Sequence, residues 1–289
     1  MKALITGAGG QLAVELERNA PAGAMITSLG IDDLDIGDAV TTRAAVDRLR
    51  PDLILNAAAY TAVDRAEAEV DLAYAVNRDG AANLAVSASA VGAKLVHVST
   101  DFVFGGRAGQ AYGPDAAPDP LGVYGASKRA GEIAVLDVIP GALIVRTAWV
   151  YSAGGANFLK TMLRLMAERD EVRVVADQIG APTDAADLAR ALWALVAADA
   201  RGMFHFTNAG VASWYDFAQA IAEEAFAAGV LSRPCKVTPI RTVDYPTPAR
   251  RPAFSVLDCS KTWALLGAPA VHWRVALRRV IGEVARERA

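Results

Sequence analysis

Short apolar runs punctuate the first half of the chain at Lys2–Thr6, Ala24–Leu29, Leu53–Asn56, Lys94–Ser99 and Ala142–Thr147. They are too brief for helices and read as strands. Between them, Gln11–Asn19, Val40–Leu49, Asp71–Val91 and Tyr124–Leu136 carry helical patterns. Alternating β and α elements predict a parallel sheet with helices on both faces, a doubly wound α/β fold. Ligands of such sheets sit beyond the carboxyl ends of the strands. Gly7–Leu12, Asn56–Thr61 and Ser99–Phe102 all fall at such ends.

The second half is less regular. Phe158–Glu168, Ala185–Ala197, Trp214–Ala228 and Trp273–Ala285 look helical, and Arg173–Ala176 and Met203–Phe206 look like strands. Between them lie Asp177–Thr183 (DQIGAPT) and the proline-dense Tyr245–Pro252 (YPTPARRP), where regular structure is precluded and a stiff loop is expected. This pattern predicts a smaller lobe capping the cleft.

Length and charge narrow the function classes. A chain of 289 residues, 53% hydrophobic, can bury a large core. A net charge of −3 offers no basic surface for nucleic acid. No apolar run approaches a membrane span and no leader precedes the first strand, so a cytoplasmic protein is expected. Cys235 and Cys259 form no disulfide framework, and His97, His205 and His272 are scattered, so no zinc site is visible.

The first strand runs straight into Gly7-Ala8-Gly9-Gly10-Gln11-Leu12-Ala13. Strand, glycine turn and helix start form a variant of the dinucleotide fingerprint. Gly7 permits the turn, Gly10 lets backbone approach a pyrophosphate, and Ala13 lets helix pack on strand. Tyr124 and Lys128, four residues apart, share one helix face. A lysine ammonium beside a tyrosine can stabilise its phenolate, and a Thr100 hydroxyl at a strand end could bind the same substrate oxygen. That is the outline of carbonyl reduction. Taken alone, Y-x-x-x-K is a poor signal that reads as an amphipathic surface pair, and a glycine-rich turn can be purely structural.

With these residues in view, the first half resembles the extended short-chain dehydrogenase/reductase superfamily: G-x-x-G-x-x-A, then Ser-Thr, then Tyr-x-x-x-Lys. More narrowly, nearly the whole chain resembles the dTDP-4-dehydrorhamnose reductase family. The stretches that carry this are GAGGQL (Gly7–Leu12), NAAAYTAVDRAE (Asn56–Glu67), HVSTDFVF (His97–Phe104), VYGASKRAGE (Val123–Glu132), RTAWVYS (Arg146–Ser152), DQIGAPT, SWYDFA (Ser213–Ala218) and YPTPARRPAFSVLD (Tyr245–Asp258). The resemblance implies a Rossmann-type dinucleotide-binding domain over residues 1–150, with parts of 170–205 returning to it, and a smaller C-terminal α/β substrate lobe over 151–289. It implies NAD(P)H-dependent reduction of the 4-keto group of dTDP-4-dehydro-6-deoxy-L-mannose to dTDP-L-rhamnose.

Residue by residue, the resemblance makes Tyr124 the proton donor, Lys128 the holder of the nicotinamide ribose, and Thr100 a hydrogen-bonding partner of the reacting oxygen. Asp101 and Trp149 become substrate-binding positions. Gly10, Gln11 and Leu12 meet the dinucleotide phosphates, with Gly7 shaping their turn. Asp35 and Ile36 meet the adenine side, and Ala59, Tyr60 and Thr61 the central part of the cofactor. Arg250 and Arg251 suit a diphosphate as an arginine fork, or are exposed salt-bridge partners. Asn56 either closes a turn or touches cofactor, and His97 is expected to pack in the sheet.

The chain departs from the family pattern in places. Phe102 stands where tyrosine is usual, Gly105 replaces a common aspartate, and Ala13 holds the third glycine position. At Leu29-Gly30-Ile31 there is neither an acid for a ribose hydroxyl nor an arginine for a 2′-phosphate, so NADPH is expected with NADH as the alternative. Some members hold magnesium between subunits through glutamates. Glu15 matches one position, but Ala186 stands at another, so no metal is assigned and a monomer or homodimer is expected. The alternatives are reductases of other nucleotide 4-keto-6-deoxy sugars, dehydratases or epimerases, and a non-catalytic subunit resembling the regulatory subunit of methionine adenosyltransferase. Phe102 after Asp101, where dehydratases carry glutamate, argues against elimination.

Overall fold

A computed structural model describes residues 1–288; Ala289, the last residue of the expected substrate lobe, lies outside the described residues. Six parallel strands form the central sheet: β1 (Lys2–Thr6), β2 (Met25–Leu29), β3 (Leu53–Asn56), β4 (Lys94–Thr100), β5 (Leu143–Thr147) and β10 (Gly202–His205). Their order is β10-β5-β4-β3-β1-β2. The direction of winding reverses between β1 and β3, which opens a ligand crevice at their carboxyl ends. The glycine turn follows one of these strands and Ala57–Thr61 follows the other.

Strands β3 and β5 are buried at every residue and β1 at every residue after Lys2, which is why they read as continuous apolar runs. On one face Leu16 of α1 (Gln11–Arg18) packs with Leu188, Leu192 and Leu195 of α8 (Ala185–Ala197) against Ile5, Leu55 and Val145. On the other, Val46 of α2 (Ala39–Leu49), Leu84 of α5 (Ala81–Val91) and Val135 of α6 (Val123–Val138) cover Leu4, Ile54 and Ile144. Short helices α3 (Val63–Ala66) and α4 (Val70–Tyr74) precede α5.

The expected helix over 71–91 is interrupted by a π-helical turn at Ala75–Gly80. Ile36 explains part of this. A Cβ at Gly80 would lie 2.6 Å from its Cγ1, so the turn brings backbone directly onto that side chain. Both β10 and α8 come from the second half of the chain, yet they complete the first sheet and its helical cover.

The remainder builds a second core. Strands β7 (Glu171–Val175) and β12 (Lys236–Ile240) pair in parallel. Leu159 and Met166 of α7 (Phe158–Glu168), Phe217 and Ile221 of α9 (Trp214–Ala227), and Leu277 and Ile281 of α11 (Trp273–Arg288) enclose Val172 and Val174. Strand β12 escaped the sequence pattern because Pro239 interrupts a five-residue run. Three two-residue strands matter for the site: β6 (Val150–Tyr151), β8 (Ile179–Gly180) and β11 (Ala212–Ser213). The last two pair antiparallel, β6 pairs with β9 (Thr183–Asp184), and α10 (Ser260–Leu266) lies between β12 and α11. No helix among the described residues is long and apolar enough to cross a membrane.

Candidate active site

The cofactor side is built by the turn after β1. Gly7 and Gly9 both adopt φ of +82°, which an L side chain rarely takes. A Cβ on Gly7 would lie 2.8 Å from the Ala58 backbone, whereas one on Gly9 would meet nothing. Gly7 therefore packs turn against turn, and Gly9, which sequence reading passed over, leaves the open side where a phosphate can approach. Gly10 caps α1 at φ −72° without a side chain, its amide bonded to the Gly7 carbonyl at 3.0 Å. The amides of Gln11 and Leu12 begin the helix there, and such a terminus favours an anion. The Gln11 side chain turns away from that terminus. Its Oε1 accepts from Ser152 (3.0 Å) and Asn157 (2.7 Å), strapping the turn to the second half.

Asp35 is exposed with Oδ1 on the Gly37 amide at 2.9 Å, and Ile36 is core, so only its backbone is available to an adenine. Gly30 lies against the glycine turn: Leu29 accepts the amides of Gly7 and Ala8, and a Cβ on Gly30 would sit 3.4 Å from the Ala8 carbonyl. Ala59, Tyr60 and Thr61 line the turn after β3. The Tyr60 backbone is clamped on both sides by Asn77, which accepts its amide at 2.9 Å and donates to its carbonyl at 3.1 Å. Asn77 also donates to Ser127 of α6 at 3.0 Å. Nothing in its local pattern marks it, since its importance comes from the π-turn that aims it. Asn56 accepts from Thr6 (2.7 Å) and Ala58 (3.2 Å), so it closes the turn. His97 is buried beside it in the sheet, and burial holds its pKa well below the usual histidine range.

Helix α6 carries the candidate pair Tyr124 and Lys128. Its first amide, Val123, is capped from outside by Glu67 at 2.9 Å. A Cβ on Gly125 or Gly131 would lie 2.1 Å from the carbonyl of Phe102 or Asn77, so no other residue lets the helix press so closely on its neighbours. Tyr124, Lys128 and Glu132 follow at intervals of four along one face. Lys128 is buried, its ammonium donating to the Val98 carbonyl at 2.7 Å; burial lowers its pKa to about 8, and Glu132 opposes that. Glu132 is fully buried and takes Arg146 of β5 as a fork, at 2.7 and 2.8 Å, with Ser99 of β4 at 2.6 Å.

At the end of β4, Thr100 sits opposite Thr147 of β5. Its hydroxyl donates to Asp101 at 3.0 Å and accepts the Phe102 amide at 3.2 Å. Asp101 is buried, and burial pushes its carboxyl up to about 6 against the hydrogen bonds of Ser255 and Thr100. Ser255 arrives from the YPTPARRPAFSVLD segment, whose backbone bonds reach both Ile179 and Tyr112. The Tyr124 ring meets Phe102 edge-on at 5.5 Å. Desolvation raises the phenol to about 12; the Thr100 hydroxyl pulls it down and the Asp101 carboxylate pushes it up. The acidifying ammonium that the Tyr-Lys spacing suggested is therefore engaged elsewhere, on Val98. The raised pKa keeps the phenol protonated at neutral pH, the form a proton donor needs.

The arginine pair divides. Arg251 pairs with Asp64 of α3 through both terminal guanidinium nitrogens, at 3.0 and 2.8 Å. Arg250 is exposed in the same loop. Trp149 is partly buried, with its indole stacked on Trp214. Gly105 has a reason: a Cβ there would lie 2.7 Å from the Asp119 carboxylate, so an aspartate would set two acids against each other. No group of three or more His, Cys, Asp or Glu among the described residues is placed to hold a metal.

Residues 1–286 match the family described as RmlD substrate binding domain. A dTDP-4-dehydrorhamnose reductase of Streptomyces griseus is 47% identical over 95% of this chain and 91% of its own. The chain belongs to the dTDP-4-dehydrorhamnose reductase family. Two solved members superpose closely on it. The reductase of Clostridium acetobutylicum has a TM-score of 0.93 at 38% identity, covering 98% of this chain and 99% of its own. That of Bacillus anthracis, solved in complex with NADP, has a TM-score of 0.92 at 39% identity with the same coverage.

Proposed function

We propose that the protein reduces the 4-keto group of dTDP-4-dehydro-6-deoxy-L-mannose to a hydroxyl, yielding dTDP-L-rhamnose, with NADPH as donor and NADH as the alternative. The observation that carries this reading is the meeting of Thr100, bonded to Asp101, with the Tyr124 ring, packed on Phe102, beside the carboxyl ends of β4 and β5. A bound nicotinamide dinucleotide supplies the hydride that reaches the carbonyl carbon.

The side chains do the rest. As negative charge develops on the carbonyl oxygen, Tyr124 gives it the phenolic proton. Thr100 hydrogen-bonds the same oxygen. Lys128, one helical turn along the same face, holds the nicotinamide ribose. The phosphates meet the amides of Gly10, Gln11 and Leu12 over Gly7 and Gly9; Asp35 and the Ile36 backbone face the adenine side, and Ala59–Thr61 the centre. Gly30 supports NADPH, because a residue without a carboxylate next to the turn does not repel a 2′-phosphate. Asp101, Trp149 and Arg250 contact the sugar nucleotide, with Arg251 anchoring the loop that carries Arg250.

The test is direct. Purified protein should oxidise NADPH only when the 4-keto sugar nucleotide is supplied, and product analysis should return the 6-deoxy sugar reduced at carbon 4. Protein that retains cofactor and stays inert with that substrate would refute the proposal.

A further inference from the structure

Trp149 stands two residues beyond Thr147, the partner of Thr100 across β4 and β5, and its φ is +48°. A bulky side chain in the left-handed region persists only where its surroundings over-determine it. Two surfaces do so here. On one, Trp214 lies parallel to the indole, with centroids 3.6 Å apart and planes at 10°. On another is the backbone of Gly180, where an added Cβ would fall 2.8 Å from the indole carbons Cε2 and Cζ2. The Trp149 carbonyl is also held, accepting the Thr183 amide at 3.2 Å.

Trp214 is itself well fixed. It is the first residue of α9, set by a capping box between Ser213 and Asp216, and Phe158 packs on it at 4.6 Å. The strained residue thus belongs to the sheet half of the chain, and every group that restrains it belongs to the other half. A pair serving the core alone would be sealed, yet both indoles keep part of their surface open.

We propose that Trp214 is a positioning residue for the sugar nucleotide, acting through the Trp149 indole; this rests on the reductase reading above. Trp214 holds the indole face flat and fixed, so the substrate meets a preformed apolar wall.

Steady-state kinetics on three variants test this. Trp214→Ala should raise KM for the sugar nucleotide about tenfold, while KM for NADPH stays within about twofold and kcat falls less than the sugar KM rises. Trp214→Phe keeps a ring against Trp149 and should recover most of the loss. Gly180→Ala presses on the indole from the other contact and should reproduce the selective rise in sugar KM. The exciton signal of the stacked indoles in circular dichroism should vanish in Trp214→Ala and persist in the wild type on adding the sugar nucleotide. An unchanged sugar KM in Trp214→Ala, or equal rises for both substrates, overturns the proposal. Should that variant not fold, an unchanged sugar KM in Gly180→Ala overturns it alone. If wild-type protein fails to turn over, the function proposal falls, and the affinity of the variants for the sugar nucleotide, read by tryptophan fluorescence, decides the role of Trp214 separately.

Discussion

Replacing Arg146 by methionine removes one half of an ion pair in which both side chains are almost wholly enclosed, Arg146 at 1% exposure and Glu132 at 0%. The carboxylate that remains keeps Ser99 at 2.6 Å and the partly exposed Arg129 at 2.8 Å, but loses both bonds of the fork. The Pro114 carbonyl loses a donor as well, and Phe104 the guanidinium 5.0 Å above its ring. Breaking a buried pair from one side costs about 3–5 kcal/mol. Because Arg129 and Ser99 still serve Glu132, a loss of about 3 kcal/mol is expected, a large part of the ~5–15 kcal/mol that stabilises a typical domain.

The pH dependence of the loss is the sharper measurement. Arg146 holds the Glu132 carboxyl below its ordinary value of 4.5 despite burial. A depressed acid contributes stability above its unfolded pKa, and that contribution is lost as pH falls through the folded value. Without Arg146, burial drives the Glu132 pKa up. The deficit of the variant should therefore be largest around pH 7 and shrink as pH falls below the ordinary carboxyl value of 4.5, where the wild-type carboxyl begins to protonate as well. Urea titrations followed by circular dichroism across that range measure it. A deficit below about 1 kcal/mol, or one flat with pH, would refute the reasoning. The double variant Arg146→Met/Glu132→Leu, with neither charge left, should regain most of the stability.

Three further outcomes are expected. Tyr124→Phe should lower kcat by about 10²–10⁴-fold with NADPH affinity nearly intact; unchanged turnover would remove the phenol from the mechanism. Burial lowers Lys128 to about 8, so its ammonium is present below that pH and lost above it, and kcat/KM should decline through that value; a profile flat to about pH 10 would contradict the assigned role. Gly131→Ala puts a methyl 2.1 Å from the Asn77 carbonyl and should destabilise by about 2–3 kcal/mol and raise KM for NADPH, because Asn77 holds Tyr60. The helix-propensity gain of about 1 kcal/mol seen for alanine at open sites would be the opposite sign and would sink that prediction.

The elements of the sheet and its helices were legible because each announces itself within a few residues. The run Lys2–Thr6 is apolar, the following glycines relieve a steric constraint, and Tyr124 and Lys128 meet through helical periodicity alone. Resemblance to a known family then attached roles to positions. Such local and comparative signals gave the fold class, the turn, the Thr100 strand end and the helix face that carries Tyr124 and Lys128.

What escaped is of another kind. Asn77, Ser255, Trp214 and the Glu132–Arg146 fork are ordinary residues in ordinary local patterns, and each acts on a group far away in the chain. Arg251 found Asp64, 187 residues distant, and β10 and α8 returned to a sheet begun by the N-terminus. Strand register and helix crossing decide those meetings, and neither is written in any short stretch of chain. The same holds for acidity: the i, i+4 spacing brings Tyr124 and Lys128 to one face, but burial sets the phenol near 12 and the ammonium near 8. Desolvation depends on everything packed around a group, so only the folded chain could decide which proton is held at neutral pH.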